Sequence, residues 1–353
     1  MKSFWVILFC FLATCVRNVV LLEPLTTLAV VGGGSAMLTA LGINYSTIKL
    51  NTYCRWYECC TPDYIPANII KFRQDLEKAV FGQHIAIKIV TNALQYHFEN
   101  LSKSSKPLVM SFQGTPGIGK TYITNVMKDA IFKLGKDSKY VHFFRGRSSF
   151  PNQKKIDEYK EQLIDTVQAS LARCPMSLFI FDEVDHMPVG VMEGITPLLD
   201  HPSGDQIDSS KAIFIFISNA GGLEISQQLA SLMNRGHSRE ETELHLFEKI
   251  TEMSLYNSNG ALMKSGSIEK ALIDHFIPFL PLEQRHVKKC IEAEFARVGL
   301  PNPTSEQIND VLKDVTYEKE QSFFATHGCK KLEKKVGLVA QMATISHDIF
   351  SDL

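Results

Sequence analysis

The chain has 353 residues, 45% hydrophobic and 21% charged, with a formal net charge of −1. That balance is globular and leaves room for a core domain plus a smaller one. Near-neutral charge excludes a protein that holds nucleic acid or an anionic membrane by bulk electrostatics. Residues 1–15 carry an early cation, Lys2, then a short apolar run with small residues at Ala13 and Cys15. This pattern predicts a secretory signal peptide. Residues 16–50 read as a membrane-associating segment and linker. Within them, 25–43 is uncharged and about long enough to cross a bilayer, but it contains Gly32, Gly33 and Gly34. Spanning, lying in one leaflet and packing as a buried hairpin all fit that composition.

Residues 51–66 are irregular and cysteine-rich. Helical apolar spacing follows over 67–78 and 84–99, joined by Val80, Phe81, Gly82 and Gln83. Residues 107–112 then read as a buried strand. It leads into Gly114, Thr115, Pro116, Gly117, Ile118, Gly119, Lys120 and Thr121, which fill every fixed position of G-x-x-x-x-G-K-[ST]. A helix over 121–134 completes the strand–loop–helix context that the motif requires. Glycines let successive backbone N–H groups curl around phosphate oxygens, and the helix start adds its positive dipole end. Lys120 is expected at the β/γ-phosphates and the Thr121 hydroxyl on Mg²⁺.

A strand over 139–144 and a long amphipathic helix over 156–174 come next. Four apolar residues from Leu178 to Phe181 then read as a parallel strand buried on both faces, tipped by Asp182 and Glu183. Open α/β sheets place ligands at that end of a strand. Asp182 is expected to hold Mg²⁺ and Glu183 to polarise the attacking water. Residues 189–199 read as helix. A strand over 211–218 ends in Asn219, a polar amide able to position water or sense the γ-phosphate. The three strands form the core of an α/β P-loop NTPase. There is no N-K-x-D base-reading motif, which favours ATP over GTP.

Helix is predicted over 224–232 and 240–255, with a charged, flexible-looking stretch at 234–243. Beyond Pro281 the pattern is helical: 283–298, 306–315 with Ser305 as N-cap, and a last helix beginning near 328. Entry to the secretory pathway places Cys54, Cys59, Cys60, Cys174, Cys290 and Cys329 in an oxidising compartment. Six cysteines allow 15 full pairings, and zinc spacing is absent. Asn44 and Asn100 lie in N-x-[ST] sequons and are glycosylation candidates.

Together, the box at Phe81 and Gly82, the Asp182–Glu183 strand, Asn219 and the helical C-terminus resemble an AAA+ ATPase of the Clp type. Cys54, Cys59 and Cys60, the run from Phe276 to Glu283, and Gly328, Cys329 and Lys330 narrow the likeness. The chain resembles the torsins, the AAA+ branch of the endoplasmic reticulum lumen, from about Tyr53 onwards. The resemblance implies a parallel sheet sandwiched by helices over 51–280 and a small helical domain over 281–353. It makes Asn219 sensor 1 and Lys330 sensor 2, where most AAA+ proteins have arginine. A lysine is a compact charge, less directional than a guanidinium fork. The resemblance also pairs Cys290 with Cys329 and Cys54 with Cys174, leaving Cys59 and Cys60 unassigned. Many torsins carry Asn after the P-loop lysine, whereas Thr121 here is an ordinary Mg²⁺ ligand.

Clp-type proteins carry a trans-acting arginine just before a Phe-x-Pro-Leu turn, and Leu272 stands at that place. Arg235, Arg239 and Arg285 are near but off register. An arginine finger is worth a factor of about 10³–10⁵ in rate. The resemblance therefore implies a membrane-associated ATPase of the endoplasmic reticulum and nuclear envelope lumen. Such an ATPase self-associates and depends on an arginine from the lumenal AAA-like domain of a membrane-protein activator. The alternative is an ATP-gated assembly protein with incidental turnover. No threading loop is evident over 145–152, despite Phe150. The client is not encoded in any motif.

Overall fold

The computed structural model describes residues 54, 56–152, 154–201, 207–258, 260–262, 272–318 and 323–351, with side chains to Met342. The expected signal peptide, the 25–43 segment and the Asn44 sequon lie outside these. The chain divides into two compact units, 1–59 and 60–353. In the first, Cys54 is bonded to Cys59.

The second unit is built on five parallel strands. They are β1 (Leu108–Gln113), β2 (Val141–Arg145), β3 (Leu178–Asp182), β4 (Ile213–Ser218) and β5 (His275–Pro278). Their order is β2-β3-β4-β1-β5. The helices are α1 (Ile69–Ala79), α2 (His84–Glu99), α3 (Lys120–Ile131), α4 (Gly146–Ser149), α5 (Ile156–Arg173), α6 (Gly222–Asn234) and α7 (Glu248–Tyr256). After β5 come α8 (Gln284–Arg297), α9 (Ser305–Lys313) and α10 (Leu332–Ser351).

Alternation along the strands divides the core in two. Met110, Phe112, Ile180, Ile215 and Ile217 pack with α1, α2, α3 and the C-terminal helices. Val109, Phe179, Phe181, Phe214 and Phe216 pack against Leu163, Val167 and Leu171 of α5. Both faces are therefore dry, which is why the strands read as continuous apolar runs. Phe144, Phe181 and Phe216 form a cross-strand row with ring centroids 5.0 and 5.3 Å apart. The register aligns Gln113 with Ser218 and Arg145 with Asp182, so four strand tips share one edge.

Several expectations are corrected. Residues 189–199 form two short 3-10 turns, Val191–Gly194 and Thr196–Leu199. Pro188 and Pro197 lack the N–H that an α-helix would use there. The helix expected over 240–255 is split into 3-10 turns, Arg239–Glu241 and Leu244–Leu246, followed by α7. Thr304, not Ser305, caps α9: its hydroxyl accepts from Gln307 N, and the Gln307 side chain accepts from Thr304 N. The last helix starts at Leu332, because Gly328 and Lys331 have φ of 49° and 74°. Strand β5 went unread because it is short and ends in Pro278, a residue confined to sheet edges.

The Cys54–Cys174 pairing is also overturned. Cys174 is bonded to Cys60, with Cα atoms 5.3 Å apart. Side chains of adjacent residues in non-helical chain point in opposite directions, so Cys59 and Cys60 reach different partners. The Cys60–Cys174 bridge spans 114 residues and constrains the unfolded chain by about 4–5 kcal/mol in the chain-entropy model. Cys290 and Cys329 are bonded as expected.

Candidate nucleotide site

The P-loop leaves β1 and turns back into α3. At Gly114, φ is +145° and a Cβ would lie 2.5 Å from the Phe279 carbonyl oxygen; at Gly117, φ is +80° and a Cβ would lie 2.1 Å from that of His327. Only glycine permits such conformations and approaches. The Gly117 carbonyl accepts from Cys329 N at 2.8 Å. The C-terminal loop carrying the Cys290–Cys329 bridge therefore rests directly on the P-loop. Gln83 clamps the other side: its amide donates to Leu280 O at 2.8 Å and Ile118 O at 3.2 Å, and accepts from Leu280 N at 2.9 Å.

Lys120 is buried and its Nζ donates to Gly114 O (2.5 Å), Thr115 O (2.8 Å) and Asn219 Oδ1 (3.1 Å). Burial pushes its pKa down to about 7, against the pull of Asp185 and Asp182; Lys330 adds to the lowering. The Thr121 hydroxyl donates to Asp182 Oδ2 at 3.3 Å. Asp182 Oδ1 accepts from Glu183 N at 3.0 Å. Burial raises the Asp182 carboxyl above its ordinary range, while the Glu183 N–H, Thr121 and Arg145 oppose the rise. Glu183 has φ of 58°, and its Oε2 is buried without a partner. Asp185 accepts from Ser218 Oγ and Asn219 N, both at 3.3 Å, which fixes the Asn219 tip.

These groups open onto a cleft of about 1140 Å³, lined also by Phe81, Arg145, Arg147, His186 and Lys330. Thr121 and Asp182 offer two hard oxygen donors. That set suits Mg²⁺, which keeps water and phosphate oxygens for most of its shell. No group of three or more His, Cys, Asp or Glu forms a metal cluster among the described residues. Of the residues expected at the site, the structure brings together the P-loop, Phe81, Asp182, Glu183, Asn219 and Lys330. Gly82 is turned elsewhere: its carbonyl accepts from Arg239 Nη2 at 2.7 Å.

Arg239 corrects the reading of 234–243 as flexible. It is 2% exposed. Its Nη1 donates to Pro281 O at 2.8 Å and pairs with Glu283 Oε1 at 3.3 Å. Burial lowers its pKa to about 10, opposed by Glu283, so it stays charged at neutral pH. Arg235 is exposed and bonds Ser231, and Arg285 pairs with Glu240 and Glu283. Leu272 is 4% exposed and packs within the core that contains Phe276. Phe150 is also core, edge-on to Tyr159 at 5.4 Å.

The sequence reading gave no role to Gln83, Arg147, His186 or Asp185. Arg145 and Arg147 carried a usable signal: they directly follow a strand whose end faces the ligand edge of the sheet.

Residues 54–181 match the family model described as Torsin, and 282–338 match Torsin-1A, C-terminal domain. The chain is 41% identical over 333 residues to a torsin-like protein of Drosophila melanogaster, covering 93% of this chain and 97% of the relative. It is 35% identical over 292 residues to Torsin-3A of Mus musculus, covering 81% and 75%. Among solved structures, it resembles the S. cerevisiae Hsp104–ADP complex with a TM-score of 0.52 at 19% identity. An extended Hsp104–casein complex gives 0.53 at 18%. Each covers 81% of this chain, which spans about half of the Hsp104 chains. That likeness establishes the fold, an AAA+ α/β core followed by helices. The relatives' identity over three quarters or more of their length decides the family: the chain belongs to the torsins, AAA+ ATPases.

Proposed function

We propose that this chain is a Mg²⁺-dependent ATPase that remodels a protein or membrane client in the lumen of the endoplasmic reticulum and nuclear envelope. The observation that carries the reading is the convergence of Lys120, Thr121, Asp182 and Asn219 from three strand tips. Lys120 binds the β/γ-phosphates, and phosphate oxygens replace the Gly114 and Thr115 carbonyls as its partners. Thr121 and Asp182 would hold Mg²⁺, which would supply positive charge beside the phosphates. Glu183 accepts the proton of the attacking water, oriented by Asn219. Lys330 meets the γ-phosphate from the helical domain over 281–353, and Phe81 packs beside the nucleotide.

The 1–15 signal and the 16–50 segment deliver the chain and hold it at the membrane. Asn100 carries a glycan; its Nδ2 bonds only the Tyr96 carbonyl, at 2.9 Å on an exposed turn. The chain self-associates, and an activator's lumenal AAA-like domain supplies the arginine that Leu272 does not. Arg239 cannot substitute, since its guanidinium is committed to the interior.

The test is ATP turnover with and without such a domain. The activator should raise kcat far more than it changes KM, because the guanidinium stabilises charge that develops in the transition state. Its arginine-to-alanine form should bind the ATP-loaded chain and fail to stimulate. Rapid, Glu183-dependent turnover by the isolated chain would overturn the requirement.

A further inference from the structure

The β2–α4 corner, Arg145, Gly146 and Arg147, has no part in the reading above. Both arginines are exposed, and both line the same cleft as the P-loop, Asp182 and Glu183. Neither has a carboxylate ion-pair partner among the described residues. Arg145 lies over the Phe143 ring, 5.6 Å from its centroid. Arg147 Nη2 donates to His186 Nε2 at 2.9 Å, a ring nitrogen and not a carboxylate oxygen. By contrast Arg297, on the same cleft, is paired with Glu294 and Glu333.

The corner is also fixed mechanically to Glu183. A Cβ at Gly146 would lie 2.3 Å from the Glu183 carbonyl oxygen and 3.2 Å from Met187 N. Across that contact, Glu183 sits in the left-handed region with Oε2 buried and unpartnered. Two guanidiniums without an ion-pair partner among the described residues thus line the same cleft as the phosphate loop. A guanidinium fork matches phosphate oxygens bidentately, and an anionic oxygen attracts it more strongly than the imidazole nitrogen that Arg147 now holds.

We propose that Arg147 determines selectivity for a nucleoside triphosphate. It exchanges His186 for an oxygen of the terminal phosphate, within the same chain and before any partner arrives. Arg145, in register with Asp182, adds charge on the metal side. The inference rests on the cleft being the nucleotide site. It gives the isolated chain a means of telling ATP from ADP that is independent of the activator's arginine. Release of His186, which neighbours Asp185, passes the terminal phosphate's presence to the Asn219 strand tip.

The test is calorimetric titration of the full chain with Mg²⁺-ADP and Mg²⁺-ATPγS. Arg147→Ala should weaken ATPγS about tenfold and leave ADP within about twofold, the scale of one hydrogen bond to a charged group. Arg147→Lys should restore part of the difference, since it keeps the charge and loses the fork. Arg173→Ala, which removes an equal charge bonded only to Ala169 O on α5, should leave the ratio unchanged. An unchanged ratio in Arg147→Ala, or an equal fall for both nucleotides, overturns the proposal while leaving the nucleotide site standing. Binding of neither nucleotide by the unmodified chain overturns both.

Discussion

Two regions of the molecule, the phosphate wall of the cleft and the polar knot around Arg239, are assembled in opposite ways. The phosphate wall is one run of eight residues, Gly114 to Thr121, whose shape follows from positive-φ glycines and a helix start. The knot joins Gly82, Arg239, Pro281, Glu283 and His286, drawn from three distant segments. Chain geometry sets the first. The second exists only because a buried cation finds carbonyls and a carboxylate at once. Local motifs therefore fix where the chemistry is, and a charge network fixes how firmly the helical C-terminus is held beside it.

The largest expected effect lies on the phosphate wall. Lys120→Ala should abolish ATP binding by removing the charge beneath the β/γ-phosphates. Glu183→Gln should retain ATP and stop turnover, because a carboxamide keeps the shape and cannot act as a base. Nucleotide titration beside a phosphate-release assay separates them; equal loss of binding in both variants would break the assignment.

The knot should respond in stability. Arg239→Met takes the buried donor from the Gly82 and Pro281 carbonyls, leaves Glu283 with Arg285 alone, and should cost about 2–4 kcal/mol in denaturant unfolding. A cost below about 1 kcal/mol would mean that the knot is no more than surface charge.

A smaller effect is tied to pH. Burial, with Arg239 beside it, lowers His286 to about 4, and its Nδ1 accepts from Glu283 N at 3.2 Å. The folded pKa lies below the unfolded value near 6.5. The stabilisation is therefore complete above pH 6.5 and is lost as pH falls towards 4, by up to roughly 3 kcal/mol. His286→Asn should flatten that slope in unfolding measured from pH 7 to pH 4.

The smallest prediction concerns the contact between the P-loop and the C-terminal loop. Cys329 N bonds the Gly117 carbonyl, so reducing Cys290–Cys329 should change nucleotide affinity by a few-fold, the scale of one backbone hydrogen bond. Cys329→Ser should be indifferent to reductant. Unchanged wild-type affinity after verified reduction would leave the bridge as a staple alone.

Sequence by itself determined the fully buried strands β1, β3 and β4, because a run such as Leu178 to Phe181 has no other place to go than between two layers. It also determined the P-loop and the acids after β3, since glycines and chemistry-bearing side chains at fixed spacing report on their own backbone. Helix α2 was legible to its ends for the same reason: its apolar period is local. What only tertiary structure decided were the long-range polar choices. Charge reads as solvation until a partner is known, so the stretch around Arg239 looked flexible and proved to be a buried anchor. Cysteine pairing depends on which thiols the fold brings within about 6 Å, so Cys60 displaced Cys54 as the partner of Cys174. Gln83, Arg147 and His186 gained their roles from the packing of segments far apart in the chain, contacts that no local pattern records.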